Sequence, residues 1–387
     1  MPGRPRKDTI REDIVGVYHV WSRCAQAEWL FGFNPETGKN YEHRKGWIHE
    51  RLRSLVQIFA VEACVFAILS NHFHLILRNR IDLAADWSEE EVVRRWWQLC
   101  PERRDEQGGP AEPTKLEIQS LVADSEQVAE WRIRLGSISW FMKSMNEWIA
   151  KRANREAEKS GHFFEGRFGC RNLLDEGAIL ACAVYIDLNE IRANLAETPE
   201  QSTHTSAYDR IAARMLRQQR EAAGEPSATD QSLPSEDPDS FLCPVHEQER
   251  SPLLGPPGVA SVKASLAAVH SSLHESENKP EQTPVNTADA HKSWRHGFLP
   301  IGLDEYLEFL DWNARQIIPG KSGATEAGFP PILERLKLAP AFWGKMIENF
   351  DRCFHSAVGS PQKMAEEAAR TGRQWLHGIT ALRSAYS

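Results

Sequence analysis

The sequence predicts an α+β protein built on one antiparallel sheet, and three observations carry that expectation. Short apolar runs alternate with amphipathic stretches between about residues 14 and 212. Their order reads strand, helix, strand, strand, helix, strand, then one more helix. Turn residues, not a helix, separate the second and third strands, so these two form a hairpin.

Each element has its own signal. "VYHVWSRC" alternates Val17, His19 and Trp21 against Tyr18, Val20 and Ser22, the period of a strand. "RKGWIHERLRSLVQIFA" sets Trp47, Ile48, Leu52, Leu55, Ile58 and Phe59 on one helical face. "EACVFAILS" and "HFHLILRN" are strands parted by Ser70 and Asn71. A partly helical insertion follows, from about residue 81 to 128. "ISWFMKSMNEWIAKRANRE" is a long helix with Trp140, Phe141, Met145, Trp148 and Ile149 on its apolar side. "HFFEGRFGCRNLL" reads as the last strand and "DEGAILACAVYIDLNEIRANLAE" as the last helix. This order is that of a ferredoxin-like βαββαβ-α fold, an antiparallel sheet with helices on one face. Its first and third strands are central.

Composition divides the chain into residues 12–215, which hold these elements, 216–292 and 293–387. The middle stretch, "EAAGEPSATDQSLPSEDPDS…ENKPEQTPVNTADA", is rich in Pro, Ser, Glu and Asp. It cannot bury enough apolar area to offset its ordering entropy and reads as a disordered linker. Aromatic periodicity then returns in a small helical region, where Ser360 and Pro361 form a good helix start.

The chain has 387 residues, 41% of them hydrophobic and 26% charged, ordinary for a globular protein. Its net charge of −8 excludes a global positive field, so any nucleic-acid surface must be a local patch. Seven scattered cysteines without a C-x-x-C pair suggest free thiols in a reducing cytoplasm. No apolar run is long enough to span a bilayer. The expectation is a cytoplasmic protein without a membrane partner. "GRPRK" near the N-terminus matches the core of an AT-hook, a five-residue match that a frayed basic terminus also explains.

The stretch with most chemical content is "SNHFHLIL". Strand alternation points His72 and His74 the same way, and two imidazoles on one face can hold a divalent metal. They are also explained as strand histidines bonded to neighbours, which is the commoner case for a lone pair of histidines. The last helix carries an apolar stripe of Leu180, Val184, Leu188, Ile191 and Leu195. Tyr185 and Asn189 lie beside it, four residues apart on one side. Each alone reads as a boundary polar residue.

Taken together, the histidine pair, "GHFFEGRF" and "LLDEGAILACAVYIDLNEIRANLAETPE" resemble the HUH-type single-tyrosine transposases over roughly residues 12 to 212. In particular they are similar to the REP-associated tyrosine transposases, relatives of insertion-sequence transposases. The tail "LDEYLEFLDWNARQI…PPILERL" looks like that of a long bacterial subgroup. The resemblance implies that Tyr185 is the nucleophile and that His72, His74 and Asn189 hold Mg²⁺ or Mn²⁺. It further implies cleavage of single-stranded DNA at hairpin-forming repeats through a 5′-phosphotyrosine, with nucleoid association when bound. Where the family has Pro and then Gly after the amide position, this chain has Glu190 and Asn194. Asn tolerates the left-handed conformation of a helix end; the missing proline can let the helix continue and shift Asn189.

The chemistry suits those residue types. A phenol attacking a phosphodiester conserves the bond for rejoining. A metal on neutral imidazole and amide ligands keeps its positive charge for the phosphate. From Trp131 to Arg171 basic residues outnumber acidic ones nine to four, interleaved with aromatics, a pattern suited to single-stranded DNA. Lys151, Arg152, Arg167 and Arg171 in that run, with Arg23, are the candidate DNA contacts. A monomer is favoured and a dimer is open. The rival expectation is a non-catalytic single-stranded nucleic-acid-binding protein on the same sheet, with structural histidines and an inert Tyr185.

Overall fold

The protein is α+β. A computed structural model describes residues 8–224, 237–246, 297–317 and 343–382, the last apart from 345, 348, 380 and 381. "GRPRK" and most of the 216–292 stretch lie outside the described residues.

The elements follow the expected order. Strand β1 (Gly16–Arg23) leads to α1 (His43–Ile58), the hairpin β2 (Val61–Ile68) and β3 (His72–Asn79), and α6 (Ile138–Glu156). The insertion supplies four helices, α2 (Ile81–Asp86), α3 (Glu89–Leu99), α4 (Lys115–Val122) and α5 (Ser125–Leu135). Strand β4 (Gly169–Leu173) precedes α7 (Glu176–Asp187), a short α8 (Asn189–Arg192) and α9 (Ser206–Ala222). The Ser137 side chain accepts the Trp140 N–H and caps α6, which leaves its start with a satisfied donor. The strand read across 162–174 is shorter than expected. Phe163, Phe164 and Phe168 turn into the core beneath α6, and only residues 169–173 form a ladder with β1, Phe164 adding an isolated bridge to Cys24.

The sheet has the order β2-β3-β1-β4-β5. The first four strands are antiparallel to their neighbours. The fifth, β5 (Ala357–Val358), comes from the C-terminal region and runs parallel to β4. Each face has its own core. Tyr18, Val20, Phe73, Leu75 and Leu77 pack under α1 and α6. Val17, Val65, Ile76 and Leu173 pack against α7 and the C-terminal elements.

Two expectations are corrected. Helices cover both faces of the sheet and not one, because α7 is apolar all round: every residue from Gly177 to Asp187 is buried. A helix of that kind needs partners on two sides. The sheet supplies one, and Tyr306, Phe309, Phe350, Phe354 and Met364 supply the other. The described residues of 297–317 and 343–382 therefore complete the core around α7 and are not a separate helical module. Asp175 ties them in, capping α7 through Ala178 N–H while accepting the Ser360 N–H at 2.5 Å. Ser360 in turn caps the helix Pro361–Arg370, as its sequence predicts. Residues 237–246, expected to be linker, cover the β2 edge, where the Cys243 N–H donates to the Ala63 carbonyl at 2.8 Å.

The stripe drawn through Leu195 also ends early. α7 stops at Asp187, α8 adds one turn, and Asn194 takes φ 55°, the left-handed conformation proposed for it. Leu195 is half exposed.

A chain ending at residue 224 is expected to expose the outer side of α7, bind an apolar dye and aggregate. A soluble truncated monomer unfolding cooperatively near the full chain's Tm would refute the shared core.

Candidate active site on the second sheet face

Strand register brings the chemistry together. In the β1–β3 pairing Trp21 faces His74 and Arg23 faces His72, while in the β1–β4 pairing His19 faces Arg171. One sheet face thus carries Arg23, Trp21, His19, His72, His74 and Arg171, and α7 lays Tyr185 over it. Gly169 is what lets the Trp21 indole lie flat here: a Cβ at that position would meet the ring at 2.1 Å.

The imidazoles form a connected set. His72 and His74 have ring centroids 4.9 Å apart, and His74 and Tyr185 5.9 Å. His19 Nε2 lies 2.9 Å from His74 Nδ1, and His19 Nδ1 lies 3.3 Å from an Arg171 guanidinium nitrogen. Burial, then the Arg171 charge, lowers the His19 pKa to about 3. Burial, then Arg23, lowers that of His72 to about 4. Burial, then His72 and His19, holds His74 well below its usual value. All three rings are neutral at pH 7.

Tyr185 is buried, not at a boundary. Its hydroxyl donates to the Asp351 carboxylate, its ring stacks on Phe350 at 5.1 Å, and the Arg192 guanidinium lies 4.3 Å from the ring centre. Arg171 donates to the other Asp351 oxygen at 2.6 Å. Burial, then the Asp351 charge, raises the Tyr185 pKa. Burial pushes the Asp351 carboxyl up, but the Arg171 charge and the Tyr185 hydrogen bond outweigh it, and its pKa is lowered.

His72, His74 and Tyr185 are therefore brought together. Asn189 is buried on α8 with its amide nitrogen lacking a hydrogen-bond partner, and among the described residues no hydrogen bond joins it to either histidine. Arg23 and Arg167 are exposed. Arg171 is not a free DNA contact: it is buried and paired with Asp351. Lys151 and Arg152 belong to α6, on the opposite side of the sheet. Asp351 and His19 were missed. Asp351 follows Tyr185 by 166 residues and carries no motif. His19 had a signal, since strand alternation already put it on one face with Trp21.

Whether these residues fit a metal is decided by their lone pairs. Among the described residues, no group of three or more His, Cys, Asp or Glu side chains is arranged to hold one. The Asn71 amide donates to the Ala27 carbonyl, so its oxygen faces His72 Nδ1 at 2.6 Å. That nitrogen carries the proton, and His72 Nε2 keeps a lone pair for a cation. His74 differs. Arg171 only donates, so His19 accepts on Nδ1 and donates from Nε2 to His74 Nδ1. His74 then bears its proton on Nε2, the atom a metal needs. The pair fits a shared divalent ion only once Arg171 leaves His19 and the ring protons shift.

No family model matches the chain, and neither the curated proteins nor the solved structures include one similar to it. Among the described residues, no helix is long and apolar enough to cross a membrane.

Two tests follow. Arg171→Met is expected to tighten Mn²⁺ binding by about tenfold, the scale on which ligand-orienting neighbours act. Titration calorimetry showing equal or weaker binding would refute the tautomer lock. The second concerns pH. Because the folded histidines have depressed pKa values, below about pH 6.5 the unfolded chain takes up protons that the folded one refuses. Stability is then lost as pH falls toward 4, by about 1.4 kcal/mol per pH unit for each such ring. His19→Gln should flatten the decline of Tm between pH 7 and 5, and an unchanged slope would count against a neutral buried His19.

Proposed function

We propose that the protein is a single-stranded-DNA transesterase in which Tyr185 is the nucleophile. The carrying observation is that the Tyr185 hydroxyl and the Arg171 guanidinium hold one anion between them, beside His72 and His74. In this structure the anion is the Asp351 carboxylate, which stands where a phosphodiester oxygen would bind. The strand order β2-β3-β1-β4 with its βαββαβ connections agrees with the ferredoxin-like fold that the resemblance implies.

In the reaction the phenol oxygen bonds to phosphorus, the bond from phosphorus to the 3′ oxygen breaks, and the phenol proton leaves as the 3′ oxygen gains one. A 5′-phosphotyrosine and a free 3′-hydroxyl result, so rejoining needs no outside energy. Arg171 and Arg192 face the developing negative charge, an electrostatic role that a low-dielectric site strengthens. Arg171 Nε is buried without a hydrogen-bond partner, a donor still unused in this arrangement. A divalent ion, when held by His72 and His74, would withdraw charge from the phosphate. Arg23, paired with His72 across the sheet, and Arg167 in the adjoining loop offer exposed charge for the flanking strand. Hairpin-forming repeats are the substrate the resemblance suggests.

Asp351 competes with the phosphate for both of its partners, so the arrangement described is a closed one. A second reading, a non-catalytic single-strand binder, is favoured by that same occupation of the Tyr185 hydroxyl.

The variants separate them. With Mn²⁺ and end-labelled single-stranded DNA from the repeats flanking its gene, the wild type should form a covalent adduct. Tyr185→Phe keeps the stacked ring and should form none, with DNA binding preserved. Removing the competing carboxylate in Asp351→Ala should speed adduct formation by roughly tenfold, as release of a closed population does. A slower Asp351→Ala would reassign Asp351 as proton acceptor. No wild-type adduct on any of these DNAs would favour the binding module.

A further inference from the structure

On the far side of the sheet from Tyr185, the outward face of α6 lies beside Arg51 of α1 and the end of α3. Between them is an open cleft of about 770 Å³, lined among others by Arg51, Trp96, Trp140, Lys143, Trp148 and Arg155. The inward side of α6 packs with Phe73 and Leu75, whose neighbours His72 and His74 face the other way. The sheet itself therefore separates this cleft from the tyrosine site.

Its electrostatics are unusual for a chain of net charge −8. Glu147, on the cleft wall, is already paired with Lys151 at 2.6 Å. Arg51, Lys143, Arg152 and Arg155 make no ion pair among the described residues. Arg51 is half-buried, with its Nε enclosed and lacking any partner. Three of the cations lean on indoles: Arg152 lies 4.2 Å from the Trp47 centroid and 5.1 Å from that of Trp148, Lys143 lies 4.3 Å from that of Trp140, and Arg51 lies 5.5 Å from that of Trp148. Cations parked over rings are available to an anion at little cost, and moving them uncovers aromatic faces.

We infer that this cleft is a second nucleic-acid site, which takes a short run of unpaired nucleotides. Phosphates meet Arg51, Lys143, Arg152 and Arg155, and bases stack on Trp140 and Trp148. Both halves of the lining are then used. An acidic peptide would satisfy the cations and leave the indoles idle. The site stands apart from Tyr185 and holds whether or not that residue attacks DNA. The insertion between β3 and α6 builds one wall through Trp96, Cys100 and Arg104, which gives that added segment a purpose.

The test uses the full chain and a fluorescent twelve-nucleotide oligo-dT, its anisotropy read across salt concentrations. Lys143→Ala/Arg155→Ala should weaken binding and lower the log–log salt slope by about 1.4, since each phosphate contact on a single strand contributes about 0.7. Trp140→Ala should weaken binding by about tenfold through lost stacking while leaving that slope alone. Unchanged affinity in both variants would overturn the proposal. So would a Trp140→Ala protein that binds as wild type while polyglutamate displaces the DNA, since the cleft would then be a seat for any polyanion. Adduct formation on the repeat DNA is read in parallel. Cleft-dependent binding without a wild-type adduct would support the cleft and sink the tyrosine chemistry.

Discussion

The guanidinium of Arg171 is the point on which the site depends. It lies on β4, almost fully enclosed, with the Trp21 ring centre 4.7 Å away on one side and that of Phe350 5.6 Å away on another. A buried cation needs an anion and hydrogen bonds, or its desolvation is not offset. Asp351 supplies the charge from 180 residues later, and His19 supplies a ring lone pair. Those two bonds have consequences in opposite directions along the sheet. Toward Asp351 they orient the acceptor that holds the Tyr185 hydroxyl. Toward His19 they select a tautomer, which decides what His74 can bind. One cation thus couples the Tyr185 hydroxyl to the histidine pair without touching either.

That coupling explains why the C-terminal residues belong to the core. Phe350 and Phe354 are fully buried on either side of Asp351, and β5 follows almost at once. Tyr306 reaches from the helix Leu303–Ile317 to donate to Asp187 at 2.6 Å, and Ser206 at the start of α9 donates to the same carboxylate. Burial, opposed by those bonds, leaves the Asp187 pKa raised to about 6. The end of α7 is therefore held by polar contacts from two later segments. Tyr185, half a turn earlier, inherits a fixed position from them.

Much of this was legible in the sequence where local pattern decides the outcome. The extent of α6 follows from its apolar spacing, and the β2–β3 hairpin from Ser70 and Asn71. His72, His74 and Tyr185 could be grouped because strand alternation and helix spacing act over a few residues. What escaped was set by packing at long range. The all-round apolar character of α7 was visible, but it was read as a one-sided stripe because its second partner lies more than a hundred residues further on. Asp351 is an ordinary acidic residue in its own context. The 162–168 stretch looked like a strand because its phenylalanines are strand formers, yet they are spent filling the core under α6. The basic run from Trp131 to Arg171 was continuous in sequence, and the fold divides it between the two sides of the sheet.

How the closed arrangement opens can be argued from the burial of its parts. The Arg171 side chain is 5% exposed and that of Asp351 45%, so solvent reaches the carboxylate and not the guanidinium. Of the two, Asp351 is the one that water or a phosphate can approach, and the one that pays little desolvation on leaving. Its backbone cannot go far, because the Phe350 and Phe354 rings anchor the turn on both sides. The motion that frees Tyr185 is then a side-chain rotation of Asp351 toward solvent, a local event that leaves the shared core intact. If the protein acts on DNA as proposed, an incoming phosphodiester has the charge to replace the carboxylate on Arg171. It also draws the guanidinium toward itself, which weakens the longer 3.3 Å contact to His19 before the 2.6 Å one. On the proposed reading, substrate arrival and release of the His74 lone pair are the same event, and the two histidines become a matched pair only when a phosphate is present to need them.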